Sequence, residues 1–299
     1  MNARAVDHVT VLDPGQGLTE QLVVAQGRRF RTVRAGTGRV TVVFEAGLSA
    51  PAAEWVAVQR QVAARTATLS YDRSGYGGSD PASDARLLTN LAGDLEAVLV
   101  AAAVDGPIVL VGHSWGCPII RQFVQTTTRP LAGVVLVDGT IAAVMPPKEA
   151  KQAHRAFALM ALATRVGLGT ALMRLAMRRA RGVLSDADNA LIMRDMSRGR
   201  DLRTAAAEAA GLVAVVDTLP QLEAAGFPTG VPVTFVLGER ADGGRVEMRE
   251  AFLAAAKAEA QRVGGRFVSS PDSSHFVPQQ DPQLVVDEIV ALVSQDVRP

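Results

Sequence analysis

Apolar positions along this chain fall into short solid runs separated by longer stretches of helical spacing. Residues 22–26 and 29–33 read as two strands joined by a tight turn at Gly27. Residues 40–44, 67–71, 108–111 and 134–137 are runs of β-branched and aliphatic residues, as expected of strands covered on both faces. Residues 232–237 and 266–270 repeat that pattern late in the chain. Between the runs, residues 55–64, 118–126 and 246–262 have helical length. Leu87, Leu88, Leu91, Leu95, Val98 and Leu99 share one helical face. A last helix opens at Asp281-Pro282 and buries Leu284, Val285, Ile289, Leu292 and Val293. Residues 1–20 are polar, contain Pro14-Gly15, and are expected to form a loosely held arm.

Residues 140–228 differ in character. They are rich in Ala, Arg, Met and Leu, with helical periodicity and no convincing strand. Strands alternating with helices imply a mostly parallel sheet. The expected fold class is therefore α/β, with about eight strands covered by helices on both faces and a helical cap inserted. The core is expected at 1–139 and 229–299, and the cap at 140–228, over the strand ends where open α/β sheets bind ligands.

Composition narrows the function classes. The 299 residues are 48% hydrophobic and carry a formal net charge of +1, which argues against an electrostatic nucleic-acid partner. The cluster Arg178, Arg179, Arg181 reads as a solvated helix face. The one cysteine, Cys117, permits no intrachain disulfide and reads as a small buried filler. No apolar run is read as approaching the ~20 residues of a membrane span, and no signal peptide is evident. The expectation is a cytoplasmic protein with a small-molecule substrate and no membrane partner; nothing sets its oligomeric state. There is no H-E-x-x-H, no C-x-x-C and no carboxylate cluster at ligand spacing, so neither metal nor cofactor is implied.

The chemistry concentrates at Gly112-His113-Ser114-Trp115-Gly116, which fits G-x-S-x-G between a buried strand and a helix. A strand turning sharply into a helix puts the central serine at the tip. Glycines at −2 and +2 let the flanking backbones pass. The Trp115 amide, at the helix start, points at any oxyanion developing there. A serine needs a base, and there are four histidines. His8 lies in the arm, His113 points away from Ser114, and His154 reads as surface. His275, in Ser273-Ser274-His275-Phe276-Val277-Pro278, lies in the loop between the last strand and the last helix. That loop opens on the same sheet edge as Ser114. Two acids fit the chain order: Asp138, ending the next strand, and Asp242, in Gly238-Glu239-Arg240-Ala241-Asp242-Gly243.

These pieces, with Tyr71-Asp72-Arg73-Ser74-Gly75-Tyr76-Gly77-Gly78-Ser79, resemble the α/β-hydrolase fold superfamily with a helical cap. The resemblance covers about 22–138 and 231–296. It implies a triad acid in one of two places. Most members carry it three residues past a glycine after the post-cap strand; here that place is Ala241, with Asp242 one residue late. Others carry it after the strand that follows the elbow strand, where Asp138 stands. Asp138 is preferred and Asp242 is the alternative. The resemblance also implies an oxyanion donor after a His-Gly; here Glu45-Ala46-Gly47 precedes Leu48, so the Leu48 amide is the candidate beside that of Trp115. The Asp72-Arg73 loop reads as structural. Trp55, His113 and Phe276 are tentative pocket residues, and the cap methionines Met160, Met173, Met177, Met193 and Met196 could form an apolar ceiling.

The expected activity is a serine esterase or lactonase acting on a small to medium apolar substrate through an acyl-enzyme. Serine at the elbow argues against the carboxylate-nucleophile chemistries of this fold. Carbon–carbon hydrolysis, perhydrolysis and non-catalytic small-molecule binding remain alternatives.

Overall fold

The computed structural model describes residues 6–13, 17–82, 84–180, 182–196 and 198–296. In chain order the strands are β1 (Val6–Asp13), β2 (Leu18–Ala25), β3 (Arg28–Ala35), β4 (Thr41–Glu45), β5 (Ala67–Tyr71), β6 (Ile108–His113), β7 (Leu131–Val137), β8 (Val233–Gly238) and β9 (Arg266–Ser270). The core helices are α1 (Val56–Val62), α2 (Leu88–Ala101) and α3 (Gly116–Val124). The insertion supplies α4 (Pro147–Ala163), α5 (Gly169–Ala176), α6 (Asp186–Met196), α7 (Gly199–Val215) and α8 (Leu219–Ala225). The core resumes with α9 (Val246–Arg262), α10 (Val277–Gln280) and α11 (Pro282–Asp296).

All nine strands form one sheet, ordered β1-β2-β3-β5-β4-β6-β7-β8-β9. The pairings β1–β2, β2–β3 and β3–β5 are antiparallel, and every pairing from β5 to β9 is parallel. The expected α/β-hydrolase fold is present, with one strand more than expected. Residues 6–13, expected as a loose arm, pair as an edge strand with β2. An edge strand can carry Asp7, His8, Thr10 and Asp13 because it needs only one partner strand.

The alternation of side chains in β4 and β6 divides the core into two layers. Val43 and Leu110 face the layer formed with Leu95, Val98, Ile120, Phe123 and Phe252 from α2, α3 and α9. Val42, Phe44, Val109 and Val111 face the other, with Trp55, Val58, Val285 and Ile289. Both faces being covered explains why the central strands read as solid apolar runs.

Among its described residues the insertion consists of helices joined by short turns, with no strand, as expected. By length and composition the stretch Gly199–Ala225 could cross a membrane, contrary to the sequence reading. It is instead broken into α7, a 3-10 turn and α8. It also buries Glu208 in ion pairs with Arg73 and Arg86, which marks a helix packed on a globular core. Of the basic cluster, Arg178 is exposed; Arg181 and the side chain of Arg179 lie outside the described residues.

Candidate active site

Ser114 sits between β6 and α3 with φ +51°, a left-handed conformation costly for a residue with a Cβ. The turn closes through Ser114 N donating to Val137 O at 3.0 Å, and through Cys117 N and Thr140 N donating to Ser114 O at 3.1 and 3.0 Å. A Cβ on Gly116 would meet Glu45 O at 2.4 Å, and one on Gly112 would lie 3.0 Å from the Gly116 carbonyl carbon. The two glycines therefore let β6, α3 and the end of β4 converge. Cys117 fills the space behind, buried with its Sγ 3.2 Å from Gly112 O; burial pushes its thiol up, so it is inert filler.

The loop after β9 brings His275 to this tip. Its Nε2 lies 3.0 Å from Ser114 Oγ, and its Nδ1 lies 2.7 Å from Asp138 Oδ1. Asp138, at φ +43° just past β7, is buried. Its Oδ2 accepts from Gly238 N at 3.0 Å and from Arg249 Nη1 at 2.8 Å. Burial pushes this carboxyl up, but the His275 hydrogen bond and the Arg249 charge outweigh it and hold the pKa below the usual carboxylate range. Asp138 thus stays ionised, with one oxygen fixed and the other aimed at the imidazole. Asp242 lines the cavities beside His275 but makes no side-chain hydrogen bond to it among the described residues.

The loop after β4 faces Ser114 from the other side. A Cβ on Gly47 would sit 3.4 Å from Ser114 Cβ. Among the described residues neither the Leu48 nor the Trp115 amide has a protein acceptor. The carbonyls of this loop are bound from behind: Arg73 Nη1 donates to Ala46 O and Arg73 Nη2 to Gly47 O, both at 2.7 Å. Arg73 is itself buried between Glu45, at 2.8 Å, and Glu208 of α7, at 2.9 Å. Tyr76 Oη and Arg86 Nη2 also donate to Glu208, at 3.0 and 2.6 Å. Burial pushes Glu208 up, and the two guanidiniums outweigh it and hold it ionised. The Asp72-Arg73 loop is therefore structural in a specific way: it fixes the carbonyls flanking the candidate oxyanion donors.

Trp55 and His113, expected at the pocket wall, lie beneath it. Trp55 is fully buried, 5.1 Å from the Phe44 ring and edge-on to His113 at 6.3 Å. His113 is buried with Nδ1 2.8 Å from Glu54 Oε1 and Nε2 2.8 Å from the His275 carbonyl oxygen. Glu54 Oε2 accepts from Gly47 N at 2.8 Å. A carbonyl and a carboxylate cannot donate, so both ring nitrogens must carry hydrogen, making His113 an imidazolium. Burial pushes His113 down, but the Glu54 charge prevails and raises it; the reciprocal attraction lowers Glu54 against its own burial. One buried ion pair thus joins the loop after β4, the elbow and the histidine loop. The Trp115 indole is buried among Leu88, Leu91 and Ile119, leaving its backbone as the part that faces Ser114.

Phe276 lines a cavity of about 860 Å³ with His275, Asp242, Ala156, Leu159, Met160, Leu172, Leu175 and Arg178. A second, of about 280 Å³, lies by Asp138 and His275 and is walled by Met145, Arg245 and Phe252 among others. Of the cap methionines, Met173 and Met196 are buried and Met160, Met177 and Met193 pack on them, so most fill the insertion and only Met160 reaches the large cavity. His154, read as surface, is half-buried with Nδ1 3.2 Å from Ala206 O. Among the described residues, no group of three or more His, Cys, Asp or Glu is arranged to hold a metal.

The model of the alpha/beta hydrolase family matches residues 42–288. The chain belongs to that family. A relative from Bacillus subtilis (strain 168), an uncharacterized protein named YqjL, is 31% identical over 120 residues, which cover 40% of this chain and 47% of the relative. The match thus spans less than half the length of that curated relative. Among solved structures, Cfl2 from Burkholderia cenocepacia matches with a TM-score of 0.71 at 21% identity, covering 94% of this chain and 98% of the other. A thermophilic esterase from Thermogutta terrifontis matches with a TM-score of 0.67 at 20% identity, covering 98% and 99%. At these identities the structural likenesses speak for the fold.

Proposed function

We propose that this alpha/beta hydrolase is a serine hydrolase that cleaves an ester or lactone of a small to medium apolar substrate. The observation that carries the reading is the continuous relay Ser114 Oγ to His275 Nε2 at 3.0 Å and His275 Nδ1 to Asp138 Oδ1 at 2.7 Å. Ser114 attacks the carbonyl carbon while His275 takes its proton. Asp138 holds the Nδ1–H tautomer and stabilises the imidazolium that forms. The oxyanion is received by the Leu48 and Trp115 amides, each worth ~3 kcal/mol of transition-state stabilisation. His275 then protonates the leaving alkoxide, and a water activated by the same imidazole releases the acid. The apolar wall of Leu159, Met160, Leu172, Leu175 and Phe276 favours a hydrocarbon acyl or alkyl group.

The test is a fluorophosphonate label with an aryl-ester assay. Native protein should carry one adduct on Ser114, and Ser114→Ala should lose both adduct and turnover. Asp138→Asn should cut kcat on the order of 10⁴-fold by imposing the wrong tautomer, with Asp242→Asn mild. An unlabelled Ser114 in folded protein, or Ser114→Ala with full turnover, would overturn the reading.

A further inference from the structure

Between Glu149 and Asp186 the chain has no acidic residue and seven basic ones, Lys151, Arg155, Arg165, Arg174, Arg178, Arg179 and Arg181. The same stretch holds most of the large apolar side chains that the fold leaves in water. Leu159, Leu162, Val166, Leu168, Leu172 and Leu175 are between 38% and 72% exposed, whereas among the described residues outside it only Val24, Val100 and Val246 are comparably bare. A globular surface scatters such residues singly; here six fall on consecutive turns of one helical hairpin.

Their placement is ordered. Leu159, Leu162 and Val166 stand at i, i+3 and i+7 along the outer side of α4 and the turn after it, with Arg155 one turn before. Leu168, just before α5, and Leu172 and Leu175 within it stand at i, i+4 and i+7. α4 turns its inner side to α7, burying Ala150. Arg155, Arg165, Arg174 and Arg178 are exposed around this apolar stripe. Among the described residues none of the four has an acidic side chain within ion-pair distance.

Asp242 and Asp186 lie on the cavity sides of these helices, whereas the exposed side carries the leucines with the four guanidiniums. An exposed apolar stripe flanked by cations is the pattern of a helix lying in a bilayer interface, with leucines among acyl chains and guanidiniums at phosphate level. A second copy of this face would bring these four exposed guanidiniums against four, so the charge pattern disfavours a symmetric dimer there. We propose that the α4–α5 hairpin docks the protein on an anionic lipid surface. The expectation of no membrane partner rests on the lack of a spanning run, and an interfacial helix needs none. Leu159, Leu172, Leu175 and Arg178 also wall the large cavity that reaches His275, so docking sets the cavity mouth against the lipid. Docking itself does not depend on the proposed reaction, and its readout is independent of turnover.

The test is co-sedimentation of the full chain with vesicles of phosphatidylcholine alone and of equimolar phosphatidylcholine and phosphatidylserine. Binding should appear only with the anionic vesicles and weaken as salt rises. Leu162→Ser with Val166→Ser, and separately Arg165→Glu, should each weaken binding at least tenfold. Arg165→Lys should bind as wild type. These side chains are exposed and outside the cavity lining, so circular dichroism and turnover of a soluble short-chain ester should be unchanged. Absence of binding at low salt, or binding that these substitutions do not weaken, would overturn the proposal. So would a concentration-dependent dimer in light scattering that the same substitutions abolish, because the face would then be a contact between copies.

Discussion

Glu54→Gln is the sharpest perturbation of the buried pair beneath the site. In the native protein Glu54 accepts from both His113 Nδ1 and Gly47 N, at 2.8 Å each, while His113 Nε2 donates to the His275 carbonyl. Glutamine can serve the same geometry only if His113 becomes neutral. Its oxygen then accepts from Gly47, its amide nitrogen donates to Nδ1, and Nε2 keeps its hydrogen. The donors of Gly47 and His113 all keep acceptors, so the loss is set mainly by the difference between charged and neutral hydrogen bonds, about 1–2 kcal/mol. That difference depends on pH. His113 has a raised folded pKa, so the native pair stabilises fully below the unfolded histidine value of about 6.5 and loses that stability as pH rises through the folded value. Urea unfolding should therefore show the native protein ahead by about 1–2 kcal/mol at pH 6, with the gap closing toward alkaline pH. Nitrogen-15 spectra of the imidazoles should show both His113 nitrogens protonated at pH 7 in the native protein and one in the variant. In turnover, Glu54→Gln should retain most of kcat. Glu54→Ala leaves Gly47 N and His113 without an acceptor and should lose about 10²-fold through misplacement of the loops they hold. A neutral His113 at pH 7, parallel pH profiles, or full kcat in Glu54→Ala would refute this account.

Asp201 in α7 is buried, and among the described residues neither carboxylate oxygen is hydrogen-bonded, Arg200 Nε lying 3.8 Å from Oδ1; desolvation, only partly offset by Arg200 and Arg198, raises its pKa to about 7. A raised carboxyl binds a proton in the folded state that the unfolded state has released, so stability falls between about pH 4 and 7. The shift of roughly three units corresponds to at most ~4 kcal/mol, and Asp201→Asn should remove that slope in urea titrations compared at pH 4, 6 and 8. Glu208→Ala strands Arg86 and half of the Arg73 guanidinium in the interior, and should cost about 3–5 kcal/mol with kcat falling as the loop at Ala46 and Gly47 loosens. Wild-type stability in that variant would show the network to be idle.

The elbow and the histidine loop were legible in sequence because backbone sterics dictate them. Gly112 and Gly116 are required by contacts of their own turn and of Glu45, and His275 follows a strand whose parallel direction fixes the edge it reaches. The choice between Asp138 and Asp242 was less legible, since both follow strands at the same edge. What separates them is the ring of donors on Asp138, and Arg249 is 111 residues away. Glu54 meets His113 across 59 residues and Glu208 meets Arg73 across 135. No local spacing marks a charged side chain whose partner arrives from another element. β1 was missed for a related reason: a polar edge strand is defined by β2 pairing with it, not by its own pattern of apolar residues.

The same buried charges divide the helical insertion into two parts. α6 and α7 are tied to the core by ion pairs of low exposure, Arg31–Asp195, Arg60–Asp188 and Arg73–Glu208, each at 2.9 Å. Among the described residues α4 has one long ion pair to the core side, Arg245–Glu149 at 3.9 Å, and otherwise packs mainly on α7, with Ala150 buried against the Leu88 and Ile119 cluster. Removing a partner from the first group leaves an uncompensated interior charge, whereas removing one from the second costs little because both groups meet water. The half that carries Glu208 therefore belongs mechanically to the loop facing Ser114. The half that carries the bare leucines is free to meet a surface without disturbing that loop. This separation lets substitutions at Leu162, Arg165 and Val166, outside the cavity wall, alter docking while the geometry around His275 stays fixed.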